Sequence, residues 1–354
     1  MKRLLPLLFV LAALPALAAK DQLHLYNWNN YIAPETIKRF EELCKCQVVQ
    51  TYYSDNEELL AKLAAGAKGY DVLVPTSNAV QALIKGGQLK PIDKAQLPNL
   101  KNIEARFMNT PFDPDNKYSV PYAMSTTILG YNDAKMKELG IPTDTWAAIF
   151  DPKYLEKVKG RVTVLDSSSE LFAAALKYLG YSANDTDPKH WDEAAAVIKK
   201  AKPYWAAFNA SSYIKELTVG NIWLVHGYSN DIFQANLDAQ AAGRKFSILQ
   251  GMPKEGAVLA VDNMVIHKSA PRSDLALMFM NFMLEGKNSA ELTNLIGSGN
   301  PNSDAMKYIK PEILKNTAIF PDKEVAAKLE QLQELTPAQR RLRNKMWTEI
   351  KAKR

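Results

Sequence analysis

The chain has 354 residues, of which 47% are hydrophobic, with two cysteines and a formal net charge of +6 at pH 7. It can bury substantial cores, and its length predicts two domains rather than one. Much of the basic excess lies between residues 340 and 354, interspersed with apolar residues such as Met346 and Ile350. This pattern favours the solvated face of a last helix and argues against a nucleic-acid or membrane patch.

A signal peptide is expected at residues 1–18. Lys2 and Arg3 form a short basic region, residues 4–14 are apolar, and Ala16-Leu17-Ala18 is a cleavage site. The apolar stretch is too short to span a membrane, and nothing later resembles a span. No cysteine follows it to carry a lipid anchor. We therefore expect a secreted, soluble protein of bacterial type.

The mature chain opens with an apolar run at residues 23–26, which is typical of a mostly buried strand. The run ends in the polar aromatic cluster Asn27-Trp28-Asn29-Asn30-Tyr31, and Pro34 then begins a helix, where its missing N–H is harmless. In open α/β sheets, ligands bind at the carboxyl ends of strands. Trp28 and its neighbours are therefore candidate ligand contacts.

The two cysteines, Cys44 and Cys46, are separated by one residue. An oxidising compartment permits a disulfide, but a bridge across one residue closes a tight ring. The alternative is that Cys46 is a small core residue that opens the second strand, and this interpretation is favoured. With no histidine nearby, the pair predicts no metal site.

Strands and helices alternate along the chain. The βαβαβ order from residue 23 to residue 75 predicts parallel pairing, which places Thr76 beside Trp28 at one edge of the sheet. Asn56 is the candidate N-cap of the second helix. Further strands are expected at 46–51, 71–75, 118–122, 126–131, 159–165 and 257–266, with an apolar run at 219–225 and a mostly helical remainder.

Three acidic residues are candidates for chemistry. Asp262 lies inside an apolar strand, where a carboxylate needs a partner, although an aspartate at a turn is the alternative. Glu170 completes a capping box with Ser167, and this structural interpretation is favoured over binding. Asp231 could cap a helix that starts at Ile232, and this structural interpretation is again slightly favoured over binding.

No catalytic motif is present, and the four histidines are not spaced for a metal pair. The sequence therefore predicts a binding protein with no cofactor or metal, rather than an enzyme. Helix N-termini beside Thr76 and Ser167 favour an anionic ligand. Three converging carboxylates would favour a cation, because whole charges outweigh the half-charge of a helix end.

Several segments resemble the periplasmic spermidine/putrescine-binding proteins of ABC importers. They are Leu25-Tyr26-Asn27-Trp28, Tyr70-Asp71-Val72-Leu73-Val74-Pro75, Asp113-Pro114-Asp115-Asn116-Lys117-Tyr118, Val120-Pro121-Tyr122, Gly130-Tyr131-Asn132, Lys254-Glu255-Gly256-Ala257 and Trp347-Thr348-Glu349-Ile350-Lys351. The resemblance covers nearly the whole mature chain, in the family's order. It implies an α/β, two-lobed type II periplasmic binding protein fold with a central ligand cleft and a hinge of crossing strands.

No flexible linker divides the chain, so the hinge is expected near residues 124–126 and again near Asp262. Lobe 1 is expected to comprise residues 19–125 and 263–305. Lobe 2 is expected to comprise residues 126–262 and 306–354.

The resemblance also implies a set of ligand-binding positions. Trp28 corresponds to an aromatic residue along the ligand's methylene chain, Glu170 to an acid that receives an ammonium group, and Asp262 to the central carboxylate. The full set is Trp28, Asn29, Asn30, Thr76, Glu170, Tyr228, Asp231, Ala260, Asp262 and Ser298. The implied function is delivery of a polyamine or related small cation to an inner-membrane ABC permease by a monomer that binds no nucleic acid.

The sequence departs from the family at four positions. Asn30 replaces an acid of the putrescine branch, Ala260 replaces a bulky aromatic residue, and Asn78 and Ser298 are smaller than their counterparts. The site thus has room for a longer or bulkier cation than putrescine. A non-polyamine ligand, anionic or zwitterionic, and a periplasmic sensor remain alternative functions.

Overall fold

The computed structural model describes residues 21–53, 55–209 and 211–352, so the expected signal peptide lies outside the described residues. The strands are β1 (Gln22–Trp28), β2 (Gln47–Tyr53), β3 (Val72–Leu73), β4 (Leu89–Lys90), β5 (Ser119–Asn132), β6 (Val162–Val164), β7 (Ala207–Phe208), β8 (Leu224–Tyr228), β9 (Ile248–Gly251) and β10 (Val258–His267).

The α-helices alternate with these strands along the chain and continue to residue 352. They are α1 (Pro34–Cys44), α2 (Asn56–Ala64), α3 (Ser77–Lys85), α4 (Asp133–Leu139), α5 (Ala147–Phe150), α6 (Pro152–Leu155), α7 (Ser168–Tyr178), α8 (Pro188–Ala201), α9 (Tyr213–Val219), α10 (Ser229–Ala241), α11 (Ser273–Met283), α12 (Gly286–Ile296), α13 (Pro311–Leu314), α14 (Lys323–Ala326) and α15 (Pro337–Ala352). Short 3-10 segments lie between β4 and β5.

One sheet runs through the molecule in the order β2-β1-β3-β10-β5-β8-β6-β7, with β4 paired to β10 and β9 paired to β5. The predicted parallel pairing of β1 with β2 and β3 is confirmed. We call β1–β3 the first half of the sheet and β6–β8 the second half. The antiparallel strands β10 and β5 lie between the halves.

The expectation of two separate strands at 118–122 and 126–131 is wrong, because β5 is continuous over 14 residues. Its register with β10 shifts between Asp262 and Asn263, which pair with Ala123 and Pro121. Tyr122 is therefore the extra residue of a β-bulge. A bulge tolerates the missing N–H of Pro121, so this proline does not end the strand.

The N-cap of α2 is Asp55 rather than Asn56. The Asp55 side chain accepts the Glu58 N–H at 2.7 Å, and Asn56 is the first helical residue. Aspartate and asparagine are equally good caps, so adjacent candidates cannot be separated by residue type. The amide of Asn56 instead donates to Thr76 Oγ1 at 2.7 Å.

Cys44 and Cys46 form a disulfide, so the interpretation of Cys46 as a free core thiol is wrong. Lys45 between them adopts a left-handed conformation at the end of α1, with φ 54° and ψ 30°. This turn brings the two Cα atoms to 5.1 Å, within the range a disulfide requires. Cys46 is also buried, as expected.

The basic C-terminal segment forms α15, as predicted. Met346 and Ile350 are buried in the core that includes α7 and α8, while Leu342 and Trp347 pack against its edge. The basic side chains thus belong to a helix whose apolar face packs against the rest of the protein. None of the helices in the described part of the chain combines the length and apolar character needed to cross a bilayer.

Candidate ligand-binding cleft

A cleft of about 660 Å³ lies where β5 and β10 pass between the two halves of the sheet. Its volume is within the range of about 300–1,000 Å³ typical of small-molecule sites. Residues from β1, β8 and β10 and from the N-termini of α3, α7 and α10 line it. The sequence-predicted residues in its wall are Trp28, Asn29, Asn30, Thr76, Glu170, Tyr228, Asp231, Ala260 and Asp262.

Ser298 is the one predicted site residue that the structure does not bring to the cleft. It is fully buried, and its hydroxyl lies 3.5 Å from that of Thr293. The loop before it turns at Gly297 (φ 65°), which directs Ser298 into the interior, and Ile296 contributes to the wall.

Trp28 is held rigidly at the end of β1. Its indole Nε1 donates to the carbonyl of Val74 at 2.9 Å, and its ring centroid lies 4.6 Å from that of Tyr53. Tyr53 in turn donates its hydroxyl to the same carbonyl at 2.6 Å. The half-buried indole therefore presents a fixed apolar face to the cleft, backed by a second ring.

Asp262 is only 4% exposed, yet it has one hydrogen-bonded oxygen and one without a partner in the described residues. Tyr31 donates its hydroxyl to Oδ2 at 2.6 Å. Burial raises the pKa of Asp262 to about 7, and the bond from Tyr31 opposes that rise. The unpartnered Oδ1 of Asp262 can therefore accept a strong hydrogen bond from a ligand.

Asp262 is a strand residue, so the alternative of an aspartate at a turn is wrong. The residue lies within β10, as expected for a buried carboxylate, but at the register shift opposite the β5 bulge. Thr76 forms a backbone bridge with it, and Asn263 donates its N–H to the carbonyl of Pro75 at 2.8 Å. The end of β3 therefore meets β10 at the central acid.

Glu170 is placed by the first turn of α7. Ser167 caps this helix, accepting the Glu170 N–H at 3.4 Å. The carboxylate interacts with Thr127 instead of completing the capping box, and its Oε2 is buried without a hydrogen-bond partner among the described residues. Burial raises the pKa of Glu170 to about 7, while Thr127 and the charge of Arg343 lower it.

Asp231 is not the N-cap that the sequence suggested. Helix α10 starts at Ser229, so Asp231 is its third residue. Its Oδ2 accepts the hydroxyl of Tyr213 at 2.5 Å, and that same hydroxyl accepts the Tyr228 N–H at 3.2 Å. Burial raises the pKa of Asp231. Tyr213 thereby fixes both Asp231 and the end of β8.

Every charged side chain in the described lining of the cleft is acidic. The five are Asp55, Glu57, Glu170, Asp231 and Asp262. The N-termini of α3, α7 and α10 also approach the cleft, but the half-charge of each is smaller than a carboxylate's. In the described residues, no group of three or more His, Cys, Asp and Glu is arranged to hold a metal ion. The charge of the five acidic side chains suits a cationic ligand.

Sequence reasoning missed several lining residues. Tyr31 belongs to the polar aromatic cluster that was already a candidate ligand surface, whereas Tyr53 at the end of β2 carries no distinguishing signal, because tyrosine is common in strands. Gln331 and Leu332 reach the cleft from a distant, irregular segment, and no local pattern marks them.

The same segment links opposite walls of the cleft. Glu334 forms a salt bridge of 2.6 Å with Lys85 at the end of α3. Glu330 nearby accepts the ammonium of Lys177 on α7 at 2.5 Å. The Lys85–Glu334 pair is exposed, so it contributes at most about 1 kcal/mol.

The Tyr31→Phe variant should raise the pKa of Asp262 further. A hydrogen bond to a charged group contributes about 1.5–3 kcal/mol, and one pH unit corresponds to about 1.4 kcal/mol, so we expect a rise of roughly one to two units. Carboxyl carbon NMR of Asp262 in the ligand-free protein measures it. Tyr52→Phe, at an exposed position of β2, is the matched control. An unchanged Asp262 titration would contradict the assigned hydrogen bond.

The fold and the cleft define a two-lobed solute-binding protein. The family model for bacterial extracellular solute-binding proteins matches residues 35–321. The chain belongs to this family. The predicted α/β, two-lobed architecture is confirmed by its solved relatives. The spermidine/putrescine ABC transporter substrate-binding protein PotD of Streptococcus pneumoniae superposes with a TM-score of 0.85 at 26% identity, covering 94% of this chain and 98% of that one.

Two curated relatives are similar over almost their whole length. A putrescine/cadaverine-binding protein of Pseudomonas aeruginosa is 57% identical over 351 residues, covering 99% of each chain. The putrescine-binding periplasmic protein PotF of Escherichia coli is 34% identical, covering 95% of this chain and 92% of that one. These relatives are binding proteins, in agreement with the absence of catalytic motifs from the sequence.

Proposed function

We propose that the protein is a periplasmic receptor that captures a small aliphatic diamine or polyamine and delivers it to an inner-membrane ABC permease. The observation that carries this proposal is the exclusively acidic set of charged residues in the described cleft wall. A buried carboxylate without a partner is unfavourable, and an ammonium group supplies both the charge and the hydrogen bonds it lacks. Glu170 and Asp262 each have such an oxygen.

The aromatic walls suit the apolar part of the same ligand. Trp28, Tyr53 and Tyr228 line the cleft, and the methylene chain of an amine can lie along their faces. An ammonium beside an aromatic face gains about 0.5–2 kcal/mol from cation–π attraction. The proposed roles are therefore Glu170, Asp231 and Asp262 for charge and the rings for the chain between the amines.

The names of the relatives support the ligand class. They are described as binding putrescine and cadaverine, putrescine alone, or spermidine and putrescine. Asn30 stands where the putrescine branch carries an acid, so the cleft has one negative charge fewer. Ala260 stands where the family has a bulky aromatic residue, so the cleft has more space. We infer that the cleft accepts a chain longer than that of putrescine, with cadaverine as the first candidate.

We further propose that Asn29, Asn30 and Thr76 contact the ligand through their polar groups at the first-half wall. All three line the cleft. Thr76 Oγ1 is oriented by Asn56 at 2.7 Å. Ser298, which is buried, is left out of this proposed contact set.

The division into lobes is also a proposal: residues 19–125 with 263–305, and 126–262 with 306–354. Two large cores support it, one around Phe40 and Met280 and the other around Trp146 and Ile350. The boundary at 305 and 306 crosses a small cluster that joins Ala290 to Ile309. Closure would bring the two lobes together over the ligand, with β5 and β10 as the hinge.

Export and the lack of enzymatic activity belong to the same proposal. Residues 1–18 would be removed as a signal peptide, and the names of several relatives describe periplasmic proteins. The relatives are binding proteins, and the cleft has a donor and acceptor set suited to holding an amine.

Calorimetric titration of the mature protein, stripped of carried-over ligand by unfolding and refolding with its disulfide intact, tests the proposal. The panel comprises putrescine, cadaverine, spermidine, agmatine and succinate as an anionic control. We expect tight binding of at least one amine and no heat with succinate. Binding of succinate, or silence with every amine, would contradict the proposal and favour an anionic or zwitterionic ligand.

A further inference from the structure

The C-terminal helix α15 supplies a cation to the wall of the cleft. Arg343 donates from Nη2 to Ser169 Oγ at 3.1 Å. Ser169 is the second residue of α7, precedes Glu170, and lines the cleft. Arg343 itself does not line the cleft, so its guanidinium reaches the first turn of α7 from behind the wall.

The side chain of Arg343 is partly enclosed, and its guanidinium is only partly satisfied by hydrogen bonds. It is half-buried, and its Nε is enclosed without a hydrogen-bond partner in the described residues. Burial, with Arg340 next to it on α15, lowers the pKa of Arg343, whereas the charge of Glu170 raises it. The guanidinium and the carboxylate therefore stabilise each other's charged forms.

Groups from three other elements, β5, β8 and α15, interact with Glu170. Thr127 of β5 donates a hydrogen bond to it, and Arg343 of α15 contributes a positive charge. Burial raises the pKa of Tyr228 at the end of β8, and the negative charges of Glu170, of Asp231 on α10 and of Glu57 on α2 raise it further. On α7 itself, Lys177 is engaged by Glu330. Arg343 is thus the cation that opposes the effect of burial on Glu170.

We propose that Arg343 is a positioning residue for the ligand site, which favours the ionised form of Glu170 that receives an ammonium group while remaining out of contact with the ligand. This inference rests on the proposed function. A fixed cation behind the carboxylate has two opposing effects. It favours ionisation of Glu170, which helps binding at low pH, and it repels a cationic ligand, which weakens binding at every pH.

The two effects give a signature that a structural role cannot produce. In Arg343→Met, binding of the amine that wild type binds should weaken at pH 6, by up to about tenfold for each unit by which the pKa of Glu170 rises. At pH 8.5, a one-unit rise in the pKa of Glu170 from about 7 still leaves most of the carboxylate ionised in the variant, so the variant should bind within about twofold of wild type or more tightly. A purely structural loss would weaken binding at both pH values.

The experiment measures Kd by calorimetry from pH 6 to 8.5 for wild type, Arg343→Met and Arg343→Lys. Lysine keeps the charge, so its profile should stay near that of wild type. Arg341→Met, an exposed position on the same helix, is the matched control. Equal weakening of Arg343→Met at all pH values, or a profile identical to that of wild type, would overturn the proposal.

A second measurement separates this inference from the proposed function. Carboxyl carbon NMR of Glu170 in the ligand-free protein should show a higher titration midpoint in Arg343→Met than in wild type. This readout needs no ligand, so it reports on the Arg343–Glu170 pair even if no amine binds. An unchanged Glu170 midpoint would overturn the inference whatever the ligand is.

Discussion

Asp262→Asn should lower the affinity for the amine ligand by roughly 30- to 5,000-fold. Removing one partner of a buried charged pair weakens binding by about 2–5 kcal/mol. Asparagine preserves the size of the side chain, and its Oδ1 can still accept the hydroxyl of Tyr31. The loss would therefore come from the missing negative charge opposite the ligand's ammonium.

Titration calorimetry at pH 7.5, with the amine that wild type binds, measures the effect of Asp262→Asn. The matched control is Asp192→Asn, at an exposed position of α8 outside the cleft. The control should keep the affinity of wild type. If Asp262→Asn also bound the amine as tightly as wild type, the assignment of Asp262 as the central carboxylate would be wrong.

The same substitution should stabilise the ligand-free protein at neutral and alkaline pH. Burial raises the pKa of Asp262 from 3.8 to about 7. In the unfolded chain this carboxyl ionises near its usual pKa, so between about pH 4 and pH 7 the folded state binds more protons than the unfolded state. The free energy of unfolding therefore falls as pH rises through this window.

Asparagine does not ionise, so Asp262→Asn removes this dependence. The free energy of unfolding of the variant minus that of wild type should grow by on the order of 3 kcal/mol between pH 5 and pH 8, at about 1.4 kcal/mol per unit. Taking the difference removes the contribution of other groups, such as His190, whose pKa is raised by its hydrogen bond to Asp185.

Urea unfolding of the ligand-free proteins at pH 5, 6, 7 and 8 measures this difference. Asp192→Asn again serves as the control and should show no trend with pH. A difference that stays constant would mean that Asp262 ionises normally in the folded protein. In Asp262→Asn, calorimetry should thus show weaker binding, while urea unfolding should show a more stable ligand-free protein. A misfolded variant would lose both affinity and stability, so it could not produce this combination.

Local patterns were sufficient for much of the fold. The helix that begins at Pro34 and the parallel βαβαβ order follow from the proline position and from the alternation of apolar runs with helical segments, which are local features of the chain. The acid inside the apolar strand that became β10 also signalled a function, because a buried carboxylate is unfavourable wherever the strand lies.

Neighbouring candidates could not be separated in the same way. Asp55 and Asn56 are equivalent caps by residue type, and the choice depended on which side chain Thr76 engages. The Cys44–Cys46 disulfide depended on the backbone of Lys45. These outcomes are set by contacts and dihedral angles that residue identity does not specify.

The sequence by itself determined the class of elements, their order and the presence of three unusual acids. Only the tertiary structure decided that these acids share one cleft, because Glu170 on α7, Asp231 on α10 and Asp262 on β10 come together only when β8 and β10 pair with β5 in the sheet. It also decided that Ser298 points inward and that Arg343 stands behind Glu170. Such placements depend on how distant segments pack, whereas secondary structure depends on short-range periodicity.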